Sequence, residues 1–351
     1  MKQIKFYLIA IALIVIVVSC KKKSAGTAPE VTTGVFELNQ GDYGSNNSSL
    51  TYYDFGTSIA TPFYFEAVNG FGFGDTGDDA IIYGGKMYIV VNGSGYVRVA
   101  NALTAQSIDS ISFLNAGVNR SPQNIVAYKN KVFVSSFDGT VAVIDTTSLT
   151  IGQFITVGLN PAQMAIFGTN LYVSNSGGIT PGYDSTVSVI DLNTYTQTNQ
   201  ITVGTNPGSI AVDNSGNLYV SCTGNYGAIG SFLVKVAAGT NVITKSADTV
   251  GTVRYYNNNL YVTGGYGGIA KIRVLSTADL SVVKSNFVSD GTSMVAPYGL
   301  DIDNTTGNVY VGDAVATGDG EVYCFDTNGN KKFSFATQSS YPIKTLLIQQ
   351  Q

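Results

Sequence analysis

The stretch PAQMAIFGTNLYVSNSGGITPGYDSTVSVIDLNTYTQTNQITVG, Pro161 to Gly204, decides the fold. It divides into four short runs separated by turn residues: Met164 to Phe167, Leu171 to Asn175, Thr186 to Asp191 and Thr198 to Val203. Val187 and Val189 stand two residues apart, the period of an extended chain with one face turned inward. Four antiparallel strands in about 40–45 residues make one propeller blade.

The unit repeats. An aromatic followed by Val or Ile and a small or polar residue marks the second strand at Tyr88, Phe133, Tyr172, Tyr219, Tyr261 and Tyr310. A looser copy stands at Phe36. Successive aromatics lie 39 to 52 residues apart, the scatter expected of variable loops on a constant blade. Proline opens the first strand at Pro122, Pro161, Pro207 and Pro297, where no ladder hydrogen bond is needed from its nitrogen. Seven second strands are preceded by only six first strands. The seventh pattern, Pro342 to Ile348, is at the other end of the chain. The expected fold is therefore all-β, a seven-bladed β-propeller whose C-terminal strand completes the first blade from inside and leaves no open edge.

The first residues carry a different signal. Lys2 and Lys5 precede the apolar run Phe6 to Val18, which is short for a membrane span. Val17, Val18 and Ser19 before Cys20 resemble the lipobox of bacterial lipoproteins. That resemblance implies a signal peptide over residues 1–19, a lipidated Cys20 with a flexible tether over 20–33, and a propeller over 34–351. It also implies anchoring to the membrane through lipid. Three lysines directly after Cys20 leave the cell surface and the periplasmic side both open.

Composition narrows the function. A formal net charge of −4, with 19 basic against 23 acidic residues, argues against nucleic-acid binding. The chain has no histidine, which removes Ser/His/Asp catalysis and the commonest metal ligand, and no enzyme is expected. Asp75, Asp78 and Asp79 do not follow a calcium-loop spacing, so neither metal nor cofactor is expected. The inner strands show few carboxylates and amides to converge on a central channel. Cys222 and Cys324 fall in non-neighbouring blades and read as buried free thiols.

The opening of blade one, NQGDYGSNNSSLTYYD from Asn39 to Asp54, makes the resemblance specific. It resembles the YncE-like propeller lipoproteins of Gram-negative outer membranes. Gly74 to Asp79, Tyr172 to Gly178, Thr186 to Asp191 and Gly320 to Asp326 resemble the same family. Its BtuG-type members capture corrinoids and pass them to a TonB-dependent transporter. The resemblance implies a corrinoid or other large solute as ligand and such a transporter as partner.

Loop lengths locate the working face. First-to-second and third-to-fourth strand turns are short, and the recurring aspartates Asp54, Asp145, Asp191 and Asp326 read as turn formers. Second-to-third loops and blade links are longer and carry aromatics and amides. One face thereby collects the candidate ligand-binding residues Tyr43, Asn46, Asn47, Asp75, Asp78, Tyr96, Arg120, Phe137, Tyr183, Tyr226, Tyr266 and Tyr298, with Phe73 among them. A non-enzymatic binding protein is the expected function. A protein- or glycan-binding scaffold using the same face is the alternative.

Overall fold

The structure, a computed structural model, describes residues 31–178, 182–246, 248–265, 270–314 and 319–350. The expected signal peptide, Cys20 and most of the expected tether lie outside them. Seven four-stranded antiparallel sheets form the blades of a β-propeller. Blades two to seven each run in chain order from the inner to the outer strand. Their inner strands are Gly77–Tyr83, Pro122–Tyr128, Pro161–Phe167, Pro207–Val212, Val253–Tyr256 and Pro297–Ile302. Blade one breaks that order. Its inner strand is the C-terminal Pro342–Gln350, antiparallel to Val31–Asn39, with Val35 opposite Leu347 and Glu37 opposite Thr345.

Burial follows position in the blade. Second strands are covered on both faces by neighbouring blades, so Leu218–Cys222 and Val309–Asp313 are buried throughout. Outer strands face solvent and keep a single apolar anchor, as with Ile201 in Thr196–Thr202. Two additions depart from the repeat. A short helix, Tyr64–Asn69, stacks Tyr64 on Phe36 and Tyr52 of blade one at 5.6 and 5.0 Å, and Gly70 ends it in a left-handed conformation. A small hairpin, Leu114–Asn115 with Val118–Asn119, links blades two and three.

Most inner strands share a device that the repeats do not announce. Register slips by a bulge just after the first residue, between Gly77 and Asp79, Pro122 and Ile125, Pro161 and Met164, Pro207 and Ile210, and Pro297 and Gly299. The residue before several of these strands is left-handed, as at Thr76, Ser121, Asn160, Asn206 and Tyr341. A bulge re-aims side chains. In blades three, four and five it takes Asn124, Gln163 and Ser209 out of the ladder, and their side chains bond to the next blade.

Those bonds close a circle. Asp79 of blade two accepts from the Asn124 amide and, at 3.0 Å, from the Ile125 N–H of blade three. Asn124 Oδ1 accepts the Met164 N–H of blade four at 3.0 Å. In blade five, Ser209 donates to Gln163 at 2.8 Å and accepts the Val253 N–H of blade six at 3.0 Å. Arg254 of blade six faces Asp301 of blade seven at 3.7 Å, and Asp301 accepts the Thr345 N–H of blade one at 2.9 Å. Lys344 returns to Asp79 at 3.9 Å.

The seam between blades seven and one leaves no room for side chains at two glycines. A Cβ on Gly312 would overlap the Pro342 carbonyl oxygen, and one on Gly299 would stand 2.8 Å from the same atom. Glu37 is fully buried beside this seam, where Thr345 Oγ1 donates to it at 2.6 Å. Burial raises its pKa from 4.5 to about 8. Gly312→Ala is expected to lower the unfolding free energy by about 1–3 kcal/mol in chemical denaturation. Glu37 binds its proton more tightly folded than unfolded, so its contribution is full below pH 4.5 and declines up to about pH 8. Glu37→Gln should flatten that decline, whose limit for one group is about 1.4 kcal/mol per pH unit, in thermal melts across the range.

Candidate functional site

The central channel is divided. A chamber of about 580 Å³ opens on the loop-rich face, and one of about 900 Å³ opens on the face of the short turns. Asp79, Gln163, Arg254 and Lys344 line both, so the charged part of the closing circle is the waist between them. The expectation of few carboxylates and amides on the inner strands is therefore corrected. Blades two, three, four and seven contribute one or two such groups each, about a repeat or more apart in sequence, and only ring closure gathers them.

Charge at the waist is balanced. Lys344 donates to Asp301 at 2.8 Å, and Asp301 also faces Arg254. Burial works against the charge of Lys344, but Asp301 and Asp79 outweigh it and its pKa rises. Burial raises the pKa of Asp79, against the pull of Lys344.

The loop-face chamber brings together two of the sequence-predicted residues, Asp78 and Tyr298. Gln40 joins them, donating to Asp78 Oδ1 at 2.7 Å and accepting from the Tyr298 hydroxyl at 2.8 Å. Burial, reinforced by Asp79, raises the Asp78 pKa to about 7, and burial raises that of Tyr298 to about 12. The Tyr298 ring keeps an exposed flank and meets Tyr341 at 5.6 Å. Thr252, Thr263 and the backbone at Gly251, Gly264 and Gly265 form the opposite wall. Gln40, Arg254 and Lys344 were not singled out from sequence; the inner-strand position of the last two was the available signal.

The other predicted residues are dispersed around the face. Tyr43 is 83 % exposed at its loop tip, and Asn46 turns the same loop in a left-handed conformation. Asn47 bonds back to Asp42, and Asp75 accepts the Gly44 N–H at about 3 Å. Asp75, Asp78 and Asp79 thus serve three different partner sets. The Tyr96 hydroxyl donates to the Phe73 carbonyl. Arg120 pairs with Asp138 and stacks over Phe154 at 4.1 Å. Phe137 is partly exposed, and the rings of Tyr183 and Tyr226 meet at 6.1 Å. Phe73 is not on the surface: it is fully buried against Phe65. Tyr266 lies outside the described residues.

The turn aspartates behave as expected, with Asp145 accepting the N–H groups of Thr147 and Ser148 at 2.9 Å. Cys222 and Cys324 are buried free thiols, each raised to about 12 by burial. Among the described residues no helix is long and apolar enough to cross a membrane. Asp301→Ala should leave Lys344 without its nearest counter-charge and destabilise the protein by about 3 kcal/mol in denaturant titration, whereas removing both charges should cost less.

No curated protein matches the sequence. Solved structures share the fold at low identity. A quinonprotein alcohol dehydrogenase-like protein from Bacteroides thetaiotaomicron aligns with a TM-score of 0.64 and 15% identity over 91% of this chain and 79% of its own. Hydrazine synthase from Kuenenia stuttgartiensis aligns at 0.59 and 16% over 72% and 77%. The computationally designed Ika8 protein aligns at 0.58 and 14% over 89% and 90%. A family match spans residues 33–346, and by it the chain belongs to the family described as domain of unknown function DUF5074.

Proposed function

We propose that the protein is a non-enzymatic binding protein that captures a solute on its loop-rich face. The observation that carries this reading is the loop-face chamber. It combines an apolar wall at Val295, Ala296, Pro297 and Ile343 with the Asp78–Gln40–Tyr298 chain and two cations at its floor. A mostly apolar recess with a few convergent polar groups is the usual form of a small-molecule site. The absence of histidine and the pairing of the channel charges favour binding over turnover.

The cargo we propose is a corrinoid, on the strength of the blade-one resemblance. A corrin macrocycle with its side chains exceeds a chamber of about 580 Å³. It would lie across the face, over Tyr298 and the Tyr183–Tyr226 pair, and send one peripheral group inside. Anchoring through Cys20 at the outer membrane and delivery to a TonB-dependent transporter belong to the same reading. A second reading, a protein-binding scaffold, is favoured by Val118, Leu159 and Val295, apolar side chains more than half exposed in loops and links of this face.

Calorimetric titration of the purified protein with cyanocobalamin and cobinamide tests the proposal. Saturable binding is expected, weakened about tenfold or more by Tyr298→Ala. Absence of heat with both ligands would remove the corrinoid reading. Binding untouched by Tyr298→Ala would move the site away from the chamber.

A further inference from the structure

The chamber on the opposite face is the larger of the two and has no part in the loop-face reading. We propose that it is a second, independent binding site, and that it takes the end of a neutral oligosaccharide. Its volume of about 900 Å³ lies within the range of ligand sites, roughly 300–1,000 Å³. Its floor is the waist, formed by Asp79, Gln163, Arg254 and Lys344.

The lining chemistry selects the class. The charged side chains lining it are Asp79, Arg254 and Lys344, and Asp301 completes the balance behind them. Two positive and two negative groups leave no net charge to attract an ion. The rim instead presents Asn214, Asn257 and Asn304, one from each of blades five, six and seven. Their carboxamides make no hydrogen bond to any described residue. Asp213 and Asp303 organise two of these turns, accepting the N–H groups of Ser215 and Thr305 at 2.9 and 2.8 Å, so those amides are free to project. Gln163 spends its oxygen on Ser209 and Arg254, while its Nε2 donates to no described residue. A carboxamide both donates and accepts, as does a sugar hydroxyl. Val126, Ala127, Ala211 and Val212 form apolar walls, and Tyr255 and Tyr256 stand at the mouth. Sugar rings carry hydroxyls at their edges and C–H groups on their faces, which suits amides above an apolar wall.

The test uses the full chain and saturation-transfer NMR at millimolar concentrations of cellotriose, maltotriose and triacetylchitotriose, with tri-galacturonate as the anionic control. At least one neutral trisaccharide should bind saturably and tri-galacturonate should not. The combined variant Asn214→Ala, Asn257→Ala and Asn304→Ala should weaken binding about tenfold. Ala127→Trp, which sets an indole against the apolar wall and narrows the chamber, should also weaken it, and Tyr298→Ala on the other face should leave it unchanged. Failure of all three neutral sugars to bind would overturn the proposal. So would stronger binding of the anion, or binding that neither the triple asparagine variant nor Ala127→Trp changes. Unfolding of either variant would show in its own spectrum, and the other then decides. Because Tyr298→Ala separates the two faces, failure here leaves the loop-face reading intact.

Discussion

The structure depends on ring closure at blade one. A propeller blade is apolar on both faces of its middle strands, and each face is satisfied only by the next blade. An incomplete first blade followed by six complete ones would leave two such faces and a row of unpaired backbone groups in water. The strand Pro342–Gln350 removes that edge by pairing with Val31–Asn39 from the other end of the sequence. The glycines at the seam fit this role. Gly299 and Gly312 let the Pro342 backbone come close enough to join blade seven as well as blade one.

Closure also builds the channel. The bulge near the start of most inner strands turns a polar side chain toward its neighbour, where it accepts or donates across the blade boundary. Around the circle these groups differ: a carboxylate at Asp79, amides at Asn124 and Gln163, a hydroxyl at Ser209, then Arg254, Asp301 and Lys344. Neutral groups bridge blades three to five, and the charges gather where blades six, seven, one and two meet. Each buried charge there has an opposite partner, which is the condition for keeping it charged in a confined space. The same paired groups make the waist polar, and they line both chambers.

The architecture was legible because it is written in apolar periodicity, repeated seven times. The Tyr-Val pattern of second strands and the stray Pro342 run were enough to give blade count and closure. The site was legible only in part. Asp78 and Tyr298 stood out in long loops, and both line the loop-face chamber. Asp75, Asn47 and Arg120 stood out equally, yet their polar groups hold the loops in shape. Loop composition cannot separate these cases, because a side chain that ties a loop and one that meets a ligand are drawn from the same residue types. Phe73 looked like an exposed aromatic among glycines, but the short helix before it brings Phe65 over its ring. The waist was missed because its members occur one or two per repeat. Read by strand position rather than by cluster, Asp79, Asn124, Gln163, Ser209 and Lys344 would have lined up as the third residue of their inner strands.

This double use of the waist limits where specificity can change. Its residues hold adjacent blades together and form the floor of both chambers, so a change made to suit a ligand also alters closure. Asp301 accepts from Lys344 and from the Thr345 backbone, and it cannot be exchanged for an apolar residue without stranding a cation at the seam. The rims carry no such burden. Asn257 and Asn304 lie in exposed turns, and Tyr298 turns an exposed ring flank to the opposite face. A propeller scaffold by itself does not select one chemistry. The mouths are therefore freer to vary than the floor, which is held by the bonds that keep the ring shut.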